Sequence, residues 1–190
     1  SWILGANSNL PAGICVLWLQ PVAGDFHARF SAYARTYRYV ILNRWTRPAI
    51  EHGLVSWQKR PLDHHAMNEA AQALLGEHDF SAFRSSGCGA NHPVREVQAI
   101  GVRRDGDTVM IDVTANGFLY HMVRNIAGSL MDVGTGERSA GWFRELLEAR
   151  DRTRAGVTAP PDGLYFLGVR YPEAFGLPEE SPAFPPQEPA

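Results

Sequence analysis

The sequence is poor in several features that mark common kinds of protein. Only two cysteines occur in 190 residues, and Cys15 and Cys88 fit neither a disulfide framework nor a metal-ligand spacing. Two unpaired thiols are typical of a reducing compartment, so we expect a cytoplasmic protein. No apolar run is long enough to span a membrane, and no signal peptide opens the sequence.

Familiar catalytic motifs are also missing. The sequence contains no P-loop, no GxGxxG, no HExxH and no CxxC, and no serine, cysteine or aspartate lies in a recognisable nucleophile setting. The histidines are scattered, without acids or cysteines at ligand spacing. We therefore expect no metal site, and nothing in the spacing supports a hydrolase built on a histidine–acid pair.

Lysine is almost absent, whereas arginine is clustered. Of 18 cationic residues only Lys59 is a lysine. Between residues 26 and 50, a window without aspartate or glutamate, lie Arg29, Arg35, Arg38, Arg44 and Arg47. An arginine-rich genome would explain the preference for arginine but not the clustering. Although the net charge is −2, this local patch favours an anionic partner, and arginine suits phosphate and base stacking better than lysine.

The hydrophobic content of 45% supports a globular core, and the periodicity predicts an antiparallel α+β fold with helices on one face of a sheet. We assign residues 1–172 to this domain and 173–190 to a proline-rich tail. The predicted elements are strands at 14–20 and 28–43, a helix at 63–75 capped by Asp63, a loop at 76–93, a hairpin of 95–103 with 108–114, helices at 119–133 and 140–150, and a strand at 164–171.

The strand predicted at 28–43 carries an unusual alternation. Its odd face presents arginines and tyrosines, whereas its even face is mostly apolar, with Arg38 as the exception. We interpret this as helices below and a ligand above. Tyrosine offers a stacking surface and arginine offers phosphate contacts, but cross-strand aromatic packing explains the tyrosines equally well. The odd face consists of Arg29, Ser31, Tyr33, Arg35, Tyr37 and Tyr39.

Several stretches together resemble one family, the TruA-type tRNA pseudouridine synthases. They occur in the family's order and cover nearly the whole chain up to the proline-rich tail. The stretches are NSNLP, DFHARFSAYARTYRYVI, HDFSAFRSSG, FLYHMVRNIAGSLMDVG and ARDRTRAGVTAPPDGLYFLGVRY.

The resemblance implies a fold and an activity. The fold would be the C-terminal lobe and part of the central sheet of a pseudouridine synthase. The activity would be isomerisation of uridine to pseudouridine at positions 38 to 40 of the tRNA anticodon stem-loop, by a homodimer without metal or organic cofactor. The alternative is a non-catalytic RNA-binding module, for which the arginine–tyrosine strand would be enough; its binding would weaken steeply with salt.

The resemblance also implies roles for individual residues. Tyr37 in RTYRY would stack on the flipped uracil and assist proton transfer. Arg124 in HMVRN would pair with a nucleophilic aspartate. Without the resemblance, its place at the border of an apolar helical stripe suggests only that its aliphatic chain lies along the stripe and its guanidinium is in water. Leu164 in GLYFL would pack against the base. Arg29, Arg35 and Arg38 would contact RNA. For Arg35 and Arg38 the alternative is a structural ion pair within the protein. Tyr39 would pack in the sheet.

One family feature is missing. The nucleophilic aspartate belongs to a GRTDAGVH-type motif, and no aspartate of this sequence lies in such a context. The opening Trp2-Ile3-Leu4 before Gly5 also looks like the tail of a helix whose beginning is absent. We therefore expect a C-terminal portion that is inactive alone, within a full-length gene product that is active on tRNA.

Overall fold

The computed structural model describes residues 2–178, which form a six-stranded sheet with helices packed on it. Single-turn 3-10 helices lie at Gln72–Leu74, Ser81–Phe83, Arg152–Arg154 and Glu173–Phe175. In chain order the other elements are α1 (Trp2–Asn9), β1 (Ala34–Asn43), β2 (Ser56–Gln58), α2 (His64–Ala71), β3 (Gly76–Asp79), β4 (Val94–Asp105), β5 (Thr108–Ala115), α3 (Met122–Gly134), α4 (Ala140–Ala149) and β6 (Leu164–Arg170).

Strand β1 is the centre of the sheet. One edge of β1 pairs with β5 in antiparallel register along almost its whole length. Its other edge is shared: β6 pairs antiparallel with residues 34–39, and β2 pairs parallel with residues 41–43. Beyond β5 follow β4 and β3, both antiparallel to their neighbours. The predicted α+β class with a mostly antiparallel sheet is confirmed, including the hairpin of β4 and β5.

The core lies between the sheet and the helices. Helix α3 turns its apolar stripe inward, and α2 and α4 pack beside it. Asp63 caps α2 as predicted, because its carboxylate accepts the backbone N–H groups of His65 at 2.9 Å and Ala66 at 3.1 Å. From the sheet, the odd residues of β1 and β5 meet the helices: Tyr39, Ile41, Val109, Ile111 and Val113.

The odd face of β1 is therefore the helix-covered face, and our interpretation of helices below and a ligand above is wrong for most of the strand. Alternation places Tyr37, Tyr39 and Ile41 on the same side, and Tyr39 and Ile41 are fully buried in the core. Only the amino end of this face is open. A period of two cannot reveal which face the helices will cover, since both faces of a central strand carry apolar residues.

Two predicted strands differ in the structure. Residues 14–20 form no strand, and Ile14, Leu17 and Trp18 are exposed; within residues 2–178 no strand pairs with this segment. Strand β1 begins at residue 34 instead of 28, because His27 accepts the backbone N–H groups of Arg29 and Phe30 and turns the chain there. Local side-chain hydrogen bonding has overridden the alternating pattern.

The predicted loop at 76–93 contains structure of its own, because β3 pairs with the start of β4. Tyr171 and Phe175, near the end of the described chain, make edge-on ring contacts with Phe26. The predicted tail at 173–190 thus begins with packed residues, and its part from 179 lies outside the described residues. Within residues 2–178 no helix is both long and apolar enough to cross a membrane.

Candidate nucleic-acid interface and active site

A cavity of about 670 Å³ opens at the amino end of β1. Its lining combines cationic and aromatic side chains, and no aspartate or glutamate is among the lining residues. Such a surface attracts anions and offers flat faces for stacking. The charged, aromatic and polar side chains that line it are Arg29, Phe30, Tyr33, Arg35, Tyr37, His92, Arg95, Asn116 and Phe118.

Tyr37 stands at the inner side of this cavity. Its ring makes edge-on contacts with Phe118 at 5.0 Å and with Phe166 at 5.2 Å between ring centroids. Burial raises the pKa of the Tyr37 phenol, and the nearby Arg35 guanidinium offsets part of that shift. The phenol is therefore protonated at neutral pH, and two aromatic neighbours hold its ring in one orientation.

Arg35 lines the cavity, but its guanidinium is engaged by the backbone. It donates hydrogen bonds to the carbonyl oxygens of Ala32 at 3.2 Å, Asn116 at 2.8 Å and Arg29. These bonds tie the turn before β1 to the end of β5. By contrast, the Arg29 side chain is exposed, with its guanidinium 5.7 Å from the Phe30 ring centroid, so it can reach an anion in the cavity.

Arg38 lies on the opposite face of the sheet from Tyr37. Its Nε and Nη2 groups donate to the two carboxylate oxygens of Asp112, at 2.6 and 2.9 Å, across the register pair of β1 and β5. Only 5% of Arg38 is exposed, and it is not among the cavity residues. Of its two predicted roles, structural ion pairing is the one that this geometry favours.

Arg124 and Leu164 lie on the helix side of the sheet. The Nε of Arg124 donates to the carbonyl oxygen of Ala159 at 2.7 Å. Among residues 2–178 its two Nη groups make no hydrogen bond, and no carboxylate lies within 4 Å of the guanidinium. Leu164 is half-buried against the core, directly opposite Tyr39 in the register of β1 and β6.

Tyr39 lies opposite Leu164 in the sheet and interacts electrostatically with Arg124. It is fully buried, as the sheet-packing interpretation predicts, and its hydroxyl donates to the carbonyl oxygen of Pro160 at 2.7 Å. Burial raises the pKa of Tyr39 to about 12; the Ser56 hydroxyl and Arg124 oppose this shift, while Asp162 adds to it. The Tyr39 phenol is thus neutral and lies within the electrostatic reach of Arg124.

A family model described as tRNA pseudouridine synthase matches residues 70–172, more than half of the chain. The chain belongs to this family. It is 58% identical to tRNA pseudouridine synthase A of Xylella fastidiosa (strain M23) over 180 residues, which cover 95% of this chain and 70% of the relative. The protein of the same name from Xanthomonas oryzae pv. oryzae (strain PXO99A) is 59% identical over 179 residues, covering 94% and 70% of the two chains.

Several cavity residues of this tRNA pseudouridine synthase family member were not predicted from the sequence, among them Arg95 and Phe118. Arg95 is the second residue of β4. Its Nη1 donates to the carbonyl oxygens of His92, at 3.1 Å, and Val94, whereas its Nε and Nη2 make no hydrogen bond among the described residues. Phe118 follows β5 and contacts Tyr37. Arg95 was assigned to a predicted hairpin strand and Phe118 lies just before the predicted helix at 119–133, so no local signal related either residue to Tyr37.

Proposed function

We propose that the gene product containing this chain isomerises uridine to pseudouridine at positions 38 to 40 of the tRNA anticodon stem-loop. The observation that carries the proposal is the position of Tyr37, which is held by aromatic neighbours at the inner side of an arginine-lined cavity. Family membership supports the reaction class. A volume of about 670 Å³ is adequate for a nucleotide, because small-ligand pockets span roughly 300–1,000 Å³.

In this proposal, each matched residue has a physical task. A uridine inside a stem cannot be reached, so it must be flipped out, which costs a few kcal/mol of lost stacking. Tyr37 offsets part of that cost by stacking on the uracil, and Leu164 packs against the base. The glycosidic C1′–N1 bond breaks and the detached uracil rotates. C5 then forms the new bond to C1′ and loses its hydrogen as a proton to water, while N1 takes up a proton, so the product is an isomer of the substrate.

Arg124 is assigned to the nucleophilic carboxylate. A carboxylate in a closed pocket needs an opposite charge to stay ionised, and a fixed guanidinium lowers its pKa and orients it through two hydrogen bonds. The unengaged Nη groups of Arg124 supply those donors. No carboxylate within residues 2–178 takes this place, so we propose that the 190-residue chain by itself forms no pseudouridine.

The test measures release of tritium from tRNA labelled at uridine C5. We expect release with the whole gene product and none with the 190-residue chain. Release by the 190-residue chain would contradict the assignment of the nucleophile, and no release by either protein would contradict the enzyme function.

Arg124→Ala in the whole gene product tests the role of the arginine. We expect turnover to fall by at least about a hundredfold while tRNA affinity stays close to that of the wild type, because Arg124 acts on the carboxylate and not on the RNA. Arg144→Ala, on the exposed side of α4, is the control and should change neither quantity. Equal losses of turnover and affinity for Arg124→Ala would count against its role.

An RNA-binding module without catalysis is the second candidate. The arginine-lined cavity without acids favours it equally, since such a surface binds RNA with or without a nucleophile. It predicts salt-sensitive tRNA binding by the whole gene product and no tritium release.

Three further properties are proposed on more general grounds. The exposed apolar side chains between residues 2 and 30 offer contact surface for a homodimer, which sedimentation of the gene product would test. The two free cysteines agree with a cytoplasmic location. Limited proteolysis would test whether residues 173–190 behave as a tail to a domain ending at 172.

A further inference from the structure

The segment 155–163 links two site residues, because it packs on α3 beside Arg124 and ends immediately before Leu164. It approaches α3 so closely that a Cβ on Gly128 would overlap the carbonyl oxygen of Val157. At its end Gly163 has φ +93°, and a Cβ there would overlap the backbone of Val40. The segment therefore cannot move closer to α3 or to β1, and its position determines where Leu164 enters β6.

Ala159 of this segment makes two hydrogen bonds to Arg124, one to its backbone and one to its side chain. The Ala159 N–H donates to the Arg124 carbonyl oxygen at 3.1 Å, and the Ala159 carbonyl oxygen accepts from Arg124 Nε at 2.7 Å. Next to Ala159, Pro160 accepts the hydroxyl of Tyr39. The direction of the guanidinium thus depends on the location of Ala159.

A polar network centred on the buried Asn125 fixes the segment to the helix. Asn125, the neighbour of Arg124 on α3, is fully buried, and its amide oxygen accepts from Arg152 Nη2 at 3.0 Å and from the Thr158 hydroxyl at 2.7 Å. Arg152 Nη2 also donates to that hydroxyl at 2.8 Å. The side chains of Asn125, Arg152 and Thr158 therefore hydrogen-bond to one another in a closed triangle. Thr158 is the residue immediately before Ala159.

The other half of the Asn125 amide is engaged as well. Its Nδ2 donates to the carbonyl oxygen of Phe83 at 2.8 Å and to the hydroxyl of Ser85 at 3.1 Å, and Arg152 Nη1 donates to the Gly156 carbonyl oxygen at 3.1 Å. All four hydrogen bonds that an amide side chain can make are present. Asn125 is the buried member of this network, and a buried amide with all its hydrogen bonds made favours one arrangement, since any other leaves its polar groups unpaired.

We propose that Asn125, Arg152 and Thr158 are positioning residues, which place the Arg124 guanidinium and Leu164 for the reaction through the segment 155–163. This inference rests on the proposed function. None of the three lines the cavity, and neither do Arg124 and Leu164; we expect the three residues to act through Arg124 and Leu164 and not directly on the RNA. A displacement of the guanidinium by about 1 Å is enough to cost up to a hundredfold in rate.

The test compares two substitutions at Thr158, because Asn125→Ala risks unfolding the protein. Thr158→Val removes the hydroxyl at almost constant shape, whereas Thr158→Ser keeps it. In the whole gene product we expect Thr158→Val to lower kcat for tritium release about tenfold, with wild-type tRNA affinity, and Thr158→Ser to retain wild-type kcat. A merely structural role would lower kcat, tRNA affinity and Tm together for Thr158→Val, which would overturn the proposal.

A second measurement does not depend on activity. The Nε–H signal of Arg124 in nitrogen-15 NMR, assigned by its loss in Arg124→Lys, should exchange slowly with water in the wild type and in Thr158→Ser, and faster in Thr158→Val. Equal exchange rates in all three would overturn the proposal. If the wild-type gene product releases no tritium, the proposed function fails, and the exchange rates still decide whether the network holds the guanidinium.

Discussion

At the scale of single residues, similar side chains have different tasks. Arg35 donates only to backbone carbonyl oxygens, Arg38 pairs with a carboxylate on the other face of the sheet, and Arg29 is exposed at the cavity. The tyrosines divide in the same way, since Tyr37 borders the cavity while Tyr39 is in the core. What each residue does follows from what surrounds it, because charge and aromaticity alone do not choose between RNA and protein partners.

Arg38→Ala tests the structural role of that arginine. The substitution leaves Asp112 without its bidentate partner, and we expect a loss of about 2 kcal/mol in the free energy of unfolding, less than for a fully buried pair because the Asp112 side chain is 34% exposed. Urea unfolding measures it. Arg103→Ala is the matched control, since Arg103 approaches the same carboxylate only to 3.9 Å. A lower tRNA affinity with unchanged stability would instead favour RNA contact by Arg38.

The pKa of Tyr39 predicts a pH dependence of stability. Its value of about 12 in the folded protein exceeds that of an unfolded tyrosine, near 10. The unfolded chain releases this proton first, so the contribution to stability is complete below pH 10 and is lost as the pH rises towards 12. In an absorbance titration of tyrosinate, the component lost in Tyr39→Phe should be the one that titrates at the highest pH. If the lost component titrated near pH 10 instead, the burial of this hydroxyl would be disproved.

At the scale of secondary structure, the site depends on close approaches between elements. Helix α3 carries Arg124, the segment 155–163 passes over it, and β6 brings Leu164 beside β1. These approaches require small residues at the crossing, and Gly128 on α3 is the clearest case.

Gly128→Ala is expected to destabilise the protein by about 2 kcal/mol, because the added methyl group overlaps the Val157 carbonyl oxygen in a packed interior. Thermal unfolding measures the loss. Gly141→Ala on α4 is the matched control, because it is a helical glycine with open surroundings, and it should be neutral or stabilise by up to about 1 kcal/mol. Equal effects of the two substitutions would show that helix propensity, and not the crossing, decides.

At the scale of the whole molecule, the charge is uneven. The net charge of −2 would repel RNA weakly, yet the cavity is lined by arginines without acids. Local potential and not net charge therefore governs the approach of a polyanion.

Arg95→Ala should weaken tRNA binding by the whole gene product and reduce the slope of log Kd against log salt by about 1, as expected for one lost phosphate contact. Filter binding at several salt concentrations measures the slope. Arg144→Ala removes the same charge from a residue that does not line the cavity and should leave the slope unchanged. Equal slopes for Arg95→Ala and the wild type would remove Arg95 from the interface.

Much of the fold was predictable where the signal is local. The cap at Asp63, the stripe of α3 and the turn between β4 and β5 depend on residues close in sequence, and all are present. The strand predicted at 14–20 was wrong because a strand needs a neighbouring strand to pair with, and amino-acid composition does not show whether one is present. The start of β1 was wrong because His27 binds neighbouring N–H groups and bends the chain.

Motifs and periodicity alone indicated the fold class and the family, and they suggested Tyr37, Arg124 and Leu164 as site residues. Only the tertiary structure decided which face of β1 the helices cover, which arginines remain open to a ligand, and that Asn125 binds Arg152 and Thr158 next to the Ala159 carbonyl oxygen that accepts Arg124 Nε. These outcomes depend on contacts between residues far apart in sequence, and such contacts form only when the elements pack together.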